Sequence, residues 1–372
     1  MRNVSDIKNC YGCGVCAIVC AKKIISIEHD GEGFYAPRIA HPEQCTECGL
    51  CTKVCAYSHN EVLASDALPQ GYAGWSTDEA VRKNCSSGGV GFEIGRSLLD
   101  EGYKLCGVRY DASVNKAMHY VASTPEEWAL SMGSKYIQSY TVDAFKAIGR
   151  KEKWLVTGTP CQIDSFRRYL RLFNAEENFV LMDFFCHGVP SKLMWDKYFS
   201  EVRKKIGAVA SISWRSKEKG WNDSWVMTLQ GGDGSEHMSY RSQGDAFYQL
   251  FLGNQCLGKA CYAHCKYKGL HSAADIRIGD LWGTAYQNNK EGVSALIGLT
   301  VKGQQVISST KGIECVPHDI DTVIEGQMKH KLGYPCIMRP IQIFLSKTKV
   351  PIALQATLSK YINKLKGRFH LS

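Results

Sequence analysis

Apolar and polar positions along this chain change period several times, and the changes divide it into unlike regions. Near the start, Ile24, Ile25 and Ile27 suit a short strand. The turn Asp30-Gly31-Glu32-Gly33 then leads into Phe34-Tyr35-Ala36-Pro37, a hairpin pattern. Residues 63–84 are turn-rich, with Pro69, Gly71 and Gly74, and read as a connector. After Ser86-Ser87-Gly88-Gly89, the residues Val90, Ile94, Leu98 and Leu99 recur at helical spacing, with Gly102 as the stop. YKLCGVRYD reads as a buried strand, and Thr124-Pro125-Glu126-Glu127 as a capped helix start. WLVTGTPCQIDSFRRYL and FVLMDFFCHGVPSKLMWDKYF each read as strand, turn and helix. That repetition indicates an α/β region with functional turns at the carboxyl ends of its strands. Residues 209–240 alternate around glycine turns, which predicts an antiparallel section.

The last thirty residues set Lys347, Lys349, Lys360, Lys364, Lys366 and Arg368 among scattered apolar positions. A solvated, locally packed helix is expected there, with a membrane-surface or partner-binding helix as the alternative. The predicted organisation is α+β: a small cysteine-punctuated unit at 1–62, a connector at 63–84, a mixed α/β domain at 85–340 and a basic helical tail at 341–372.

Length and composition then narrow the class. The chain has 372 residues, 44% hydrophobic and 22% charged, which suits a folded globular protein and excludes disorder as the main state. No apolar run approaches a membrane span, and the first residues lack the apolar core of a signal peptide, so a cytoplasmic location is expected, with peripheral membrane contact left open. Seventeen cysteines without an export signal point to metal ligands before disulfides. The formal charge of +9 is modest once thiolate-bound clusters are counted, each adding about −2, and no nucleic-acid motif is present.

Two runs carry the strongest chemistry. Cys10, Cys13, Cys16 and Cys20 follow the spacing C-x2-C-x2-C-x3-C, and Cys45, Cys48, Cys51 and Cys55 repeat it. In a two-cluster ferredoxin arrangement, the fourth cysteine of each run serves the other cluster. The expected ligand sets are Cys10, Cys13, Cys16 and Cys55, and Cys45, Cys48, Cys51 and Cys20. Gly12, Gly14 and Gly49 are expected to let the backbone approach the sulfides. Ala21 and Ala56 replace the usual proline after the fourth cysteine, at no cost in ligands. Zinc also suits four thiolates, but the doubled pattern favours [4Fe-4S] clusters and hence electron transfer. Beyond residue 84, Cys161 and Cys186 fall in turns after predicted strands, with Cys256, Cys261 and Cys265 further on. The fold either gathers four of these thiols for a third cluster or leaves them as separate buried residues.

At these residues the sequence resembles the coenzyme F420-reducing hydrogenase/dehydrogenase beta-subunit family, in its bacterial form with a fused ferredoxin domain. The resemblance rests on Ser86-Ser87-Gly88-Gly89, Gly133-Ser134-Lys135-Tyr136, Gly158-Thr159-Pro160-Cys161-Gln162, Cys186 with Gly188, and Ala274-Asp275-Ile276 with Gly279-Asp280. It implies a third [4Fe-4S] cluster on Cys161, Cys186, Cys261 and Cys265, with Cys256 as the substitute for Cys265. It also implies FAD at Ser86, Ser87, Gly88, Gly89, Ser134, Lys135 and Tyr136, where a glycine turn and a lysine would meet a pyrophosphate. Asp280 is expected to face the cofactor or cap a loop. Lys219 and Trp221 are candidates for stabilising and stacking on a reduced flavin, and His187 for relaying a proton.

The expected function is an FAD- and [4Fe-4S]-dependent oxidoreductase passing single electrons from a ferredoxin-like donor to an organic substrate, with a sugar-linked compound among the candidates. An F420-dependent oxidoreductase and a non-catalytic electron-transfer subunit are the alternatives. A homo-oligomer or a larger redox complex fits either reading.

Overall fold

The computed structural model describes residues 3–63 and 67–369, with side chains up to 362. The N-terminal unit is small and built around turns. Strands β1 (Ile25–His29) and β2 (Tyr35–Ile39) form the expected antiparallel hairpin, flanked by the short helices Val15–Val19 and Leu50–Lys53. Both helices begin immediately after a left-handed glycine, Gly14 and Gly49. Gly14 has a contact beyond the expected approach to sulfide: an added Cβ would lie 2.3 Å from Thr141 Oγ1. Thr141 in turn donates to the Cys13 carbonyl at 2.9 Å, so this glycine permits the unit to dock on the rest of the chain.

Further along lie β3 (Gln70–Ser76), β4 (Lys104–Asp111), β5 (Lys116–Ala122), β6 (Ser139–Tyr140), β7 (Trp154–Thr157), β8 (Phe179–Phe184), β9 (Val209–Ser213), β10 (Val226–Gly231), β11 (Glu236–Tyr240), β12 (Ile276–Asp280), β13 (Ser294–Gly298) and β14 (Ile313–His318). Among the described residues, nine strands form one mixed sheet in the order β14-β3-β13-β12-β8-β7-β4-β5-β6. Its centre, β12-β8-β7-β4, is parallel, while β13, β3, β14 and β5 pair antiparallel. The expected antiparallel section is a separate three-stranded sheet, β11-β10-β9. The larger region is therefore an α+β domain around a mixed sheet.

Residues 70–84 depart from the connector reading. They supply β3, between β13 and β14, and the helix Glu79–Asn84. Gly71 and Gly74 give this strand its turn-like composition, and their bareness is steric: a Cβ on either would come within 2.9 Å of a packed valine, Val323 or Val90.

One apolar core runs through both parts of the molecule. Val15, Val19, Ile25, Ile27 and Val54 of the cysteine-rich unit share a buried cluster with Ile163, Phe166 and Leu170 of the helix Pro160–Leu172 and with Val156 of β7. A unit of about 60 residues buries too little surface to be secure alone. This one borrows apolar contact from the sheet domain. Lys266 straps its exit, donating to the carbonyls of Ala56, His59 and Glu61 at 3.0, 2.9 and 2.8 Å. The basic tail is two helices, Met338–Ser346 and Ile352–Phe369; the side chains of Lys364, Lys366 and Arg368 lie outside the described residues.

Candidate functional site

The carboxyl ends of the parallel strands β7, β8 and β12 open onto a cavity of about 450 Å³. Its lining includes Thr157-Gly158-Thr159 after β7, Phe184 to Val189 after β8, and Ile278-Gly279-Asp280 of β12. The Ser86–Gly89 turn and residues 132–137 close another side. This is where an open sheet with parallel strands places its ligands.

Cysteine positions organise the approach to that cavity. Cys10, Cys13, Cys16 and Cys55 line one small internal cavity together. Burial pushes the Cys10 thiol up to about 12 and Cys13 to about 11, and each feels the charge of its neighbours in the group. Among the described residues, no three ligating side chains close tightly enough for a single metal ion. Four thiols around a cavity, three of them buried and Cys10 half-buried, instead suit a polynuclear cluster, whose cations would offset both burial and mutual repulsion. Cys16 also feels Cys51, which links this group to the second motif. The second expected ligand set is nearer solvent: Cys51 is buried, Cys20 and Cys45 are half-buried, and Cys48 is exposed.

A third group forms from distant segments. Cys161 is raised by burial and feels Cys186, Cys261 and Cys13. Cys261 is pushed up to about 12 by burial and feels Cys186 and Cys265. Cys186, also raised by burial, is eased back by Lys268 and lines the cavity. Cys256 stands apart in the apolar core, its Sγ 3.0 Å from Met194 Sδ. It packs in that core, while Cys265 lies near Cys186 and Cys261.

The helix Pro160–Leu172 connects two of these groups. Cys161 lies in its first turn, where aligned backbone N–H groups favour a thiolate. Ser165, one turn later, hydrogen-bonds Cys13 and accepts from the Ala56 N–H at 3.1 Å. Tyr11 fills the adjoining space, edge-on to Tyr57 and Tyr267 with centroids 5.3 and 5.8 Å away.

The other expected site residues divide. His187 lines the cavity; its Nε2 is buried with no hydrogen-bond partner among the described residues, and burial, then Lys268, pulls its pKa down to about 4. Trp221 lies behind the wall, buried, stacked on Trp282 at 5.0 Å and donating to Asp280 at 2.7 Å. Trp282 lines the cavity, as do Trp128 and Trp225. Lys219 is exposed, with Nζ 4.2 Å over the Tyr240 ring, and does not line the cavity.

The glycine turn and its lysine are occupied by internal bonds. Ser86 Oγ accepts from the Ser134 N–H at 2.8 Å, and Ser87 Oγ donates to the Val293 carbonyl at 2.7 Å. Gly88 N–H donates to Ser294 Oγ at 2.9 Å, and an added Cβ there would sit 2.3 Å from the Gly74 carbonyl oxygen. Gly89, left-handed, starts the helix Val90–Asp100. Lys135 donates to the carbonyls of Leu130, Ser131 and Met132, and burial pulls it down to about 7. Tyr136 stacks on Trp225 at 5.2 Å and accepts from Arg215 at 3.2 Å. Asp280 is paired with Arg215 at 3.1 Å, and Arg215 lies over the Trp225 and Trp282 rings.

Arg215, Lys217 and Lys268 have no counterpart among the sequence expectations. Lys268 donates to the Cys186 and His187 carbonyls at 2.6 and 3.0 Å, placing a buried cation beside the third thiol group. Lys217 donates to the carbonyls of Arg82, Ser87 and Glu291, behind the glycine turn. The only signal for Arg215 was a charge beside Trp214 within a β-rich run.

Comparison with known proteins now decides the family. The model for the coenzyme F420 hydrogenase/dehydrogenase beta subunit N-term matches residues 71–146, and that for its C terminus matches 151–317. The chain belongs to this beta-subunit family. A 4Fe-4S dicluster domain, matched over 9–58, is fused ahead of it. No curated protein matches the chain. Among solved structures, a chain of the F420-reducing [NiFe] hydrogenase complex from Methanosarcina barkeri, a xenon derivative, is 16% identical with a TM-score of 0.48, over 80% of this chain and 93% of that one.

The family corrects the cofactor expectation. Both matching models describe a beta subunit of coenzyme F420 hydrogenase/dehydrogenase, against the expectation of FAD and an FAD-dependent flavoprotein. No distinct flavin-binding architecture is evident among the described residues. The groups assigned to a flavin pyrophosphate, Lys135 and the Ser-Ser-Gly-Gly turn, already hold helix ends and loops together.

Proposed function

We propose that this protein is an iron–sulfur oxidoreductase of the F420 beta-subunit type, exchanging electrons between a one-electron carrier and the deazaflavin coenzyme. The observation that carries the reading is the position of Cys186, which belongs to the third thiol group and also lines the cavity at the strand ends. Cys161, Cys186, Cys261 and Cys265 would hold one [4Fe-4S] cluster, Cys10, Cys13, Cys16 and Cys55 a second, and Cys20, Cys45, Cys48 and Cys51 a third. When bound, such clusters supply single electrons, and a hydride equivalent for the deazaflavin comprises two electrons and a proton.

The chain's own residues do the rest. Lys268 keeps positive charge beside Cys186 and favours its thiolate. Arg215 holds Tyr136 and Asp280 in fixed positions at the cavity wall. Cys48 brings its group to the surface, where a ferredoxin-like partner would deliver or collect electrons. Anaerobically reconstituted protein, given a reduced ferredoxin, should bleach the visible absorbance of F420. Failure to bind or reduce F420 with all three clusters present would overturn the assignment.

A further inference from the structure

The charge of the chain is unevenly placed. Nine of its 45 basic residues and none of its 36 acidic residues lie after Glu325, so the preceding 325 residues balance at 36 against 36. Arg339 is consumed internally by its pair with Glu32 at 2.7 Å. Lys329, Lys331, Lys347, Lys349 and Lys360 are exposed, and none joins an ion pair among the described residues.

The same segment exposes apolar side chains in a pattern. Along the helix Ile352–Phe369, Leu354, Leu358 and Tyr361 follow i, i+4, i+7 and are 58%, 40% and 67% exposed. The helix does not lack a core contact: Ile352, Gln355, Ala356 and Ser359 are buried on another face. Ile352 and Ala356 join the cluster around Trp195 and Phe247, and Gln355 donates to the Val350 carbonyl at 2.8 Å. The helix is thus fixed in place with a second apolar stripe turned outward. Phe344, on the preceding helix, is 67% exposed as well. A solvated helix would carry polar residues there.

We propose that this C-terminal helical pair docks the protein on an anionic lipid surface. An exposed stripe of leucines and a tyrosine, with Lys360 on the same helix and Lys347 and Lys349 in the link just before it, is the composition of an interfacial helix. Charge favours this occupant over a second copy, whose matching segment would bring the same excess of positive charge against it. No helix among the described residues is long and apolar enough to cross a membrane, so the helix would lie on the surface.

Flotation of the full, cluster-loaded chain with vesicles tests this without any redox readout. Binding to phosphatidylcholine vesicles containing phosphatidylglycerol is expected, with little binding to phosphatidylcholine alone. Lys347→Glu/Lys349→Glu/Lys360→Glu should weaken partitioning at least roughly 100-fold, about fivefold per lysine. Leu354→Ser/Leu358→Ser/Tyr361→Ser should also weaken it while iron content and far-UV circular dichroism stay unchanged. Equal binding to both vesicle types, or none to either, would overturn the proposal. So would a dimer that the serine variant dissolves, or equally tight binding to polyglutamate that the serine variant leaves unmoved.

Discussion

The two kinds of thiol group in this molecule are assembled by opposite means. Cys10, Cys13 and Cys16 are presented by consecutive turns of one short segment, and only Cys55 comes from elsewhere in the unit. Cys161, Cys186 and the pair Cys261 and Cys265 come from three segments: β7 and β8 are neighbours in one sheet, and the bridge of Pro190 with Leu257 and the Gly258 N–H on the Val189 carbonyl hold the Cys261 segment to the turn after β8. The first arrangement is written in spacing; the second is written in topology. The first therefore leans on metal for its shape, while the second inherits a frame already held by buried pairs and an apolar core.

The largest test of that difference is Cys186→Ala. About four of roughly twelve irons should be lost, and reduction of F420 should cease, because alanine offers the cluster no ligand. The N-terminal clusters should still take up electrons from ferredoxin in stopped flow, since their eight thiols are untouched. A variant with full iron content and normal transfer would remove Cys186 from the third group.

Asp280→Asn probes the frame. It strands the buried Arg215 guanidinium, at a cost of about 3 kcal/mol in chemical denaturation, while iron content stays unchanged. A loss below about 1 kcal/mol would mean that stacking on Trp225 and Trp282 and bonding to Ser224 satisfy the cation without the carboxylate.

Two smaller effects sharpen the contrast. Ser165→Ala removes a hydroxyl bonded to Cys13, and a hydrogen bond to a cluster sulfur favours the reduced state. One cluster potential should fall by about 40 mV, the equivalent of roughly 1 kcal/mol for one electron, in an EPR-monitored titration. An unchanged potential would make Ser165 purely structural. His119, in β5, is fully within the sheet domain, and burial pulls its pKa from 6.5 down to about 4. The unfolded chain then binds more protons across that interval, so stability falls as pH drops from 6.5 toward 4. About 1 kcal/mol should be lost between pH 7.5 and 5.5, and His119→Phe should flatten that slope in denaturation midpoints. An identical slope in the variant would trace the acid sensitivity to the clusters instead.

What could be read beforehand follows the same division. The hairpin, the Val90 and Pro160 helices and the two cysteine runs each depend on near neighbours, so their residues announce them. β3 was missed because Gly71 and Gly74 resemble a loop, although the alternation of Tyr72 with Gly74 and of Ala73 with Trp75 was visible. The choice of Cys265 over Cys256 could not be made from spacing, since it depends on Cys256 facing Met194. Lys219 and Trp221 were drawn to the site by adjacency in sequence; in the fold, Trp221 supports Trp282 from behind, and Lys219 points to Tyr240.

The helix Pro160–Leu172 acts as a ruler. Cys161 and Ser165 are four residues apart on it, about 6 Å along its axis at 1.5 Å per residue. Electron tunnelling falls off steeply with distance, and here the spacing between the two thiol groups proposed to hold clusters is set by peptide geometry, not by a loop that breathes. Inserting one residue between Cys161 and Ser165 would swing one site about 100° around the helix relative to the other. The gap can therefore be retuned only by moving the whole helix against the sheet.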